Sequence, residues 1–387
     1  MNTALSPRIR ATGLPPIPAA RVWAARYSGA AGSAIDLTQA VPGYPAHPDL
    51  LARISQAAGT AAAAGYGDID GDLPLREALA ADLTLTYGAP ITAADVAITA
   101  GCNLAFTMAM TALAGTGEAV MLPAPWYFNH HMALTMLGIE TIPLPCAADA
   151  GFIPDVETAT ALLTPATRAI LLITPNNPTG AIYPPETIAA FAALCRERGL
   201  WLVLDETYRD FLPEGAAAHA LFNAPGWRDN VIQLYSFSKS YCIPGHRIGA
   251  ITAGPAARAE LLKVLDTMQI CPGRAPQTAL AWAVEALRPW RGANRAIMAE
   301  RASAFRAAVA PLAGWKLDAL GAYFAYLRLP EHAPDAMRSA ELLAAEHGLM
   351  TLPGPFFGPG QSRHLRLAFA NADLPMIAQV PQRLARL

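Results

Sequence analysis

Lys239 lies in the stretch LYSFSKSYCIPGHRIG (Leu234 to Gly249), with Ser236 three residues before it and Arg247 eight after. Only three of the 28 lysine and arginine residues are lysines: Lys239, Lys263 and Lys316. Where a plain positive charge suffices, this chain uses arginine. An arginine keeps its proton in a protein, whereas a crowded or buried lysine can lose it, and a neutral amine attacks a carbonyl. A lysine kept in a tight segment rich in Ser, Gly and Pro therefore points to amine chemistry. Taken alone, SxxK is more often a solvated loop, so its company decides.

That company consists of three further motifs. In TAGCN (Thr99 to Asn103) a strand ends at Gly101 and a helix begins. Free backbone N–H groups and the positive end of the helix dipole suit an anion there, above all a phosphate. In TPNNPTG (Thr174 to Gly180) two prolines and a glycine fix a loop that holds Asn176 and Asn177 at a strand end; ordinary turn chemistry accounts for it equally well. In LDETY (Leu204 to Tyr208) Asp205 follows an apolar run. A carboxylate there is costly to bury unpaired and should meet a cation or a donor; taken alone, a helix N-cap is an equally good reading. Tyr127, in APWYFNH, is either a core aromatic or a face on which a ring stacks.

Together these residues supply what an aldehyde cofactor with a phosphate and a pyridine ring requires. The lysine holds the aldehyde as an imine. The carboxylate keeps the ring nitrogen protonated, so that the ring accepts electrons from a substrate carbanion. Asn177 and Tyr208 donate to the phenolic oxygen, and the helix start, Ser236 and Arg247 take the phosphate.

The ordered set NPTG, DETY and SFSK…R resembles that of the fold-type I pyridoxal-phosphate enzymes, the class I/II aminotransferases, from about Asp36 to Ala370. The resemblance implies pyridoxal 5'-phosphate as cofactor and Lys239 as its Schiff-base lysine. It implies Asp205 on the pyridine nitrogen and Asn177 and Tyr208 on the phenolic oxygen. Gly101, Cys102 and Asn103 would form the phosphate cup with Ser236 and Arg247. Tyr66, in GYGDIDG, is similar to the tyrosine that reaches the neighbouring subunit's phosphate, which implies a homodimer with shared sites. Arg366, in HLRLAFA, resembles the arginine that takes the substrate α-carboxylate through a two-pronged fork. One departure stands out: the family usually has a glycine near the substrate where this chain has Ala40.

The implied reaction is transamination. An amino group moves between an L-amino acid and a 2-oxo acid by a ping-pong route, with Lys239 as base and then acid. The alternative on the same scaffold is a carbon–sulfur β-lyase; a non-catalytic effector-binding module is a third. For the side-chain pocket the candidates are Tyr44, Trp126, Asn129, Tyr323 and Phe324, whose aromatic content favours a neutral, aromatic or sulfur-containing substrate. Arg274, in CPGRAPQ, is the one arginine to watch for a distal carboxylate.

The elements that must position these residues alternate. Apolar runs at 96–99, 119–122, 141–144, 168–174, 200–205, 231–236 and 248–253 are interleaved with helix-length segments such as 73–87, 104–113 and 185–198. That pattern predicts an α/β fold, a mostly parallel central sheet with helices on both faces and the site at the strands' carboxyl ends. A helix is expected over 50–64, ending at Gly65. After about Pro289 a helix at 291–312, a strand at 321–329, a helix at 336–347 and a strand at 364–368 indicate a smaller α+β domain. The division is 1–47 as an N-terminal arm joining the small domain, 48–288 as the cofactor domain and 289–387 as the small domain. Prolines at 7, 15, 16 and 18 speak against a targeting helix and for an arm lying across the fold or a partner.

Bulk composition excludes other classes. The 387 residues carry 15% charged residues and a formal charge of -2, with no basic patch for nucleic acid. No apolar run approaches the roughly 18 residues of a membrane span. Five scattered cysteines without CxxC or a Cys/His cluster read as reduced thiols of a cytoplasmic protein and not as a metal site.

Overall fold

A computed structural model of the chain describes all residues except 1–4, 215, 217 and 218. Its strands are β1 Ile35–Asp36, β2 Val96–Thr99, β3 Ala119–Ala124, β4 Glu140–Pro145, β5 Thr167–Ile173, β6 Trp201–Asp205, β7 Val231–Ser236, β8 Gly249–Ala253, β9 Lys316–Gly321, β10 Phe324–Arg328, β11 Leu349–Met350, β12 Leu352–Pro353 and β13 His364–Ala368. Seven of them form one sheet in the order β2-β8-β7-β6-β5-β3-β4. All neighbours run parallel except at β8, which is antiparallel to both β2 and β7. Successive residues of β6 show why this sheet is covered twice. Leu202 and Leu204 enter one apolar cluster and Val203 enters the other, so both faces are dry.

The smaller part is an antiparallel sheet, β12-β13-β10-β9, packed against helices Arg288–Val309, Ala336–His347 and Leu374–Leu384. The N-terminal segment joins this part, as β1 pairs in parallel with β11. Two glycines bring the bodies together. Gly180, at φ +79°, closes the NPTG loop, and a Cβ there would lie 2.3 Å from the Gly321 nitrogen at the end of β9.

Three expectations need correction. The segment 50–64 is not one helix: Pro48–Ala58 ends at Gly59, and Ala61–Ala64 restarts with the Thr60 hydroxyl accepting from the Ala63 N–H. The strand expected over 321–329 starts later, at Phe324, as the second arm of a hairpin. β9 ends at Gly321, Ala322 turns at φ 45°, and β10 begins at Phe324. The prolines of the arm do not prevent helix formation. Pro16–Ala24 is helical because Pro16 and Pro18 fall in its first turn, where backbone N–H groups have no intrahelical partner. Among the described residues, no helix is long and apolar enough to cross a membrane.

Candidate functional site

The carboxyl ends of β2, β5, β6 and β7 open into one cavity of about 250 Å³. Its lining includes Ala40, Cys102, Asn103, Tyr127, Asn177, Asp205, Tyr208, Ser236, Lys239, Arg247 and Arg366. Residues spread over more than 300 positions of sequence thus meet at one point. Gly101 lies directly beneath, capping helix Cys102–Leu113 at φ 90°, ψ 162°, a conformation open almost solely to glycine. A Cβ on Gly101 would stand 2.2 Å from Arg247 Nη2. The guanidinium is therefore laid against the bare helix start, and two sources of positive potential face the same space.

Asp205 is buried at the end of β6. His130 Nε2 lies 3.3 Å from its Oδ2, the Thr207 N–H donates to Oδ1 at 3.0 Å, and the Cys102 thiol is 3.8 Å away. Burial alone would raise the carboxyl's pKa, but the bonds from His130 and Thr207 outweigh it and hold it below the ordinary range. Lys239 sits opposite, its Nζ donating to the Ala40 carbonyl at 2.5 Å. Burial first, and then the positive charges of Arg366 and Arg247, lower its pKa to about 8. Tyr208 is held as a neutral phenol, its pKa raised well above the usual value by burial and by Tyr127.

Arg366 enters from β13 and is 2% exposed. Its Nη1 donates to Asn177 Oδ1 at 3.2 Å, Nη2 donates to the Thr38 carbonyl, and Nε has no partner. The two asparagines of TPNNPTG divide their work. Asn176 turns away, accepting from the Thr179 N–H and donating to Tyr183, whereas Asn177 faces the cavity. The Ala40 methyl, the departure from the family pattern, packs against the Tyr208, Phe211, Tyr323 and Phe324 cluster.

Other expected residues lie elsewhere. Tyr66 is 81% exposed and outside its own chain's cavity. Tyr44 does not line the cavity; its ring meets Trp290 edge-on. Tyr323 and Phe324 are fully buried behind Tyr208, and Trp126 stacks on His131. Asn129 acts through Tyr127, donating to its hydroxyl at 2.8 Å. Arg274 is closed on Asp72 and the Ala62 carbonyl, beside Tyr66. None of these five pocket candidates, nor Arg274, lines the cavity. Its apolar wall is instead Ile17, Val41, Phe128 and Ile173. Sequence reading also missed His130, although its place one helical turn after Tyr127 was a usable signal.

The family model for aminotransferase class I and II matches residues 33–384. The chain belongs to this family. An arginine–pyruvate transaminase of Pseudomonas aeruginosa is 31% identical over 85% of this chain and 84% of its own length. The aspartate/prephenate aminotransferase of Thermus thermophilus is 29% identical over 88% of each. A solved single mutant of Thermus thermophilus aspartate aminotransferase superposes with a TM-score of 0.91 at 25% identity, covering all of both chains. The chain is thus a pyridoxal-phosphate-dependent aminotransferase, and these relatives do not favour the lyase. The site fits that cofactor. Gly101 leaves the helix start bare beside a guanidinium, Asp205 is a buried carboxylate held in its ionised form, and Lys239 is a lysine whose proton is easily lost.

Proposed function

We propose that Lys239 holds the cofactor covalently and serves as the acid–base group of transamination. The observation that carries this reading is a lysine whose pKa is lowered to about 8, sharing one cavity with a buried carboxylate and a guanidinium-lined helix start. Cys102 and Asn103 would offer backbone N–H groups to the phosphate, with Ser236 and Arg247 beside them. Asp205, oriented by His130, would face the ring nitrogen, and Asn177 and Tyr208 the phenolic oxygen. Tyr127, set by Asn129, would cover the ring face. Bound pyridoxal phosphate supplies an electron sink and carries the amino group between two half-reactions.

The chain's own groups do the rest. Arg366 would grip the substrate α-carboxylate; its guanidinium is held by Asn177 and the Thr38 carbonyl, so little side-chain entropy is lost on binding. Lys239 Nζ would take the substrate α-proton and give it up again, which a group titrating near working pH does efficiently. Ala40 offers a carbonyl to the same amine and lines the cavity beside it. Tyr44, behind this wall, would act on the substrate only through Tyr323 and the Lys239 turn.

The working unit would be a cytoplasmic homodimer in which Tyr66 reaches the partner's phosphate; its exposure on its own chain supports this. The chain would divide into an arm and small-domain segment (1–47), a cofactor domain (48–288) and a small domain (289–387), with helix Arg288–Val309 beginning at the second boundary. Visible spectra of the holoprotein test the reading. The band of the lysine-bound cofactor should bleach with an amino acid and return with a 2-oxo acid. A band that persists while pyruvate and ammonia accumulate contradicts transamination.

A further inference from the structure

Charge is scarce in the cavity, and all of it is committed. Of the residues that line it only Asp205, Lys239, Arg247 and Arg366 are charged. Asp205 is bonded to His130 and the Thr207 N–H. Under the function proposed above, Lys239 takes the aldehyde, Arg247 the phosphate and Arg366 the α-carboxylate. Nothing charged then remains among the described lining residues for a substrate's side chain. A distal carboxylate or guanidinium would enter unpaired, at a cost of several kcal/mol for a desolvated charge.

What remains for the side chain is an uncharged, apolar wall. Ile17 comes from the arm helix Pro16–Ala24 and packs with Phe128 on the cluster of Ala20, Tyr326, Leu352 and Phe357. Val41 follows Ala40, whose carbonyl receives Lys239, and lines the same cavity. The aromatic candidates Tyr323 and Phe324 are shielded behind Tyr208 and offer no ring face. Arg274 does not alter the count if a partner brings it close, because its guanidinium is closed on Asp72 and the Ala62 carbonyl. The exposed Asp68, two residues from Tyr66, is the one acid on that face without an ion pair among the described residues.

We infer that this aminotransferase selects amino acids with uncharged, apolar side chains, seated against Ile17, Val41 and Phe128, and rejects dicarboxylic and guanidino substrates. The inference rests on the proposed function, and the test separates the two. Calorimetry on the holoprotein would compare three unreactive carboxylates: 4-methylpentanoate, glutarate and 5-guanidinopentanoate. The first should bind at least tenfold more tightly than either of the others. Ile17→Ala should remove most of that preference, since each lost methylene in an apolar pocket is worth about tenfold or more. Arg366→Ala should weaken all three alike. Glutarate or 5-guanidinopentanoate binding as well as 4-methylpentanoate overturns the inference; tight 5-guanidinopentanoate binding that Asp68→Asn abolishes would place the partner's acid in the pocket instead. An unchanged preference in Ile17→Ala also overturns it. If Arg366→Ala weakens none of the three, the failure lies in the carboxylate assignment beneath.

Discussion

Gly101→Ala isolates the phosphate end of the site. Gly101 occupies φ 90°, ψ 162°, so alanine brings about 1–3 kcal/mol of backbone strain. The new Cβ would also stand 2.2 Å from Arg247 Nη2 and 2.8 Å from Cζ. Ordinary contact begins near 3.4 Å, so the guanidinium must retreat by about 1 Å. It retreats as a flexible side chain, but its backbone is pinned at φ 52° and its Nη1 is bonded to the Pro244 carbonyl at 3.1 Å. Under the proposed function the movement would cost Arg247 its charge-assisted bond to the phosphate, about 1.5–3 kcal/mol, or roughly 10- to 150-fold in affinity. Fluorescence titration of the apoprotein with pyridoxal phosphate and with pyridoxal separates this from general damage. The loss should appear with the phosphorylated compound and stay within about threefold for the other. Equal losses for both, or none for either, would refute the phosphate assignment of Arg247.

Four further outcomes follow from the same geometry. With Lys239 at about pH 8, modification of its amine in the apoprotein by a neutral reagent should rise through that pH and not through the ordinary lysine range near 10.4. Because the folded pKa lies below the unfolded one, the folded chain binds fewer protons between about 8 and 10.5, and stability relative to Lys239→Met should rise with pH across that window by about 3 kcal/mol; a flat difference in urea unfolding contradicts the burial of this amine. Arg366→Lys keeps the charge but loses the fork and its bonds to Asn177 and Thr38, so kcat/KM for amino acids should fall about 100-fold. Gly180→Ala meets backbone at 2.3 Å with φ +79°, so no side chain can yield, and the loss in a melting experiment should exceed about 2 kcal/mol.

Legibility in the sequence followed how local each cause was. Helix Leu73–Tyr87 was readable to the residue because Pro74 opens it and Gly88, at φ 62°, closes it. Asn177, Asp205 and Ser236, which line the cavity, were readable because each sits at or just past the end of an apolar strand, a position that chain order alone fixes. β9 was not, since KLDALG is half exposed and carries Lys316 and Asp318 on an edge. The side-chain pocket was unreadable for a different reason. Ile17 reaches the cavity only because the arm helix docks against the small part of the fold, and Tyr323 leaves it only because Ala322 turns the hairpin. His130 needed the third dimension as well: its partner lies 75 positions away.

The central claim concerns one amine, and the chain has just three lysines with which to contradict it. Borohydride reduction of the holoprotein, followed by peptide mass spectrometry, reads the attachment point directly. A single pyridoxyl group on Lys239, absent in Lys239→Ala, is the result expected. Label on Lys263 or Lys316, or none in the wild-type chain, would mean that the cavity holds its cofactor by another route.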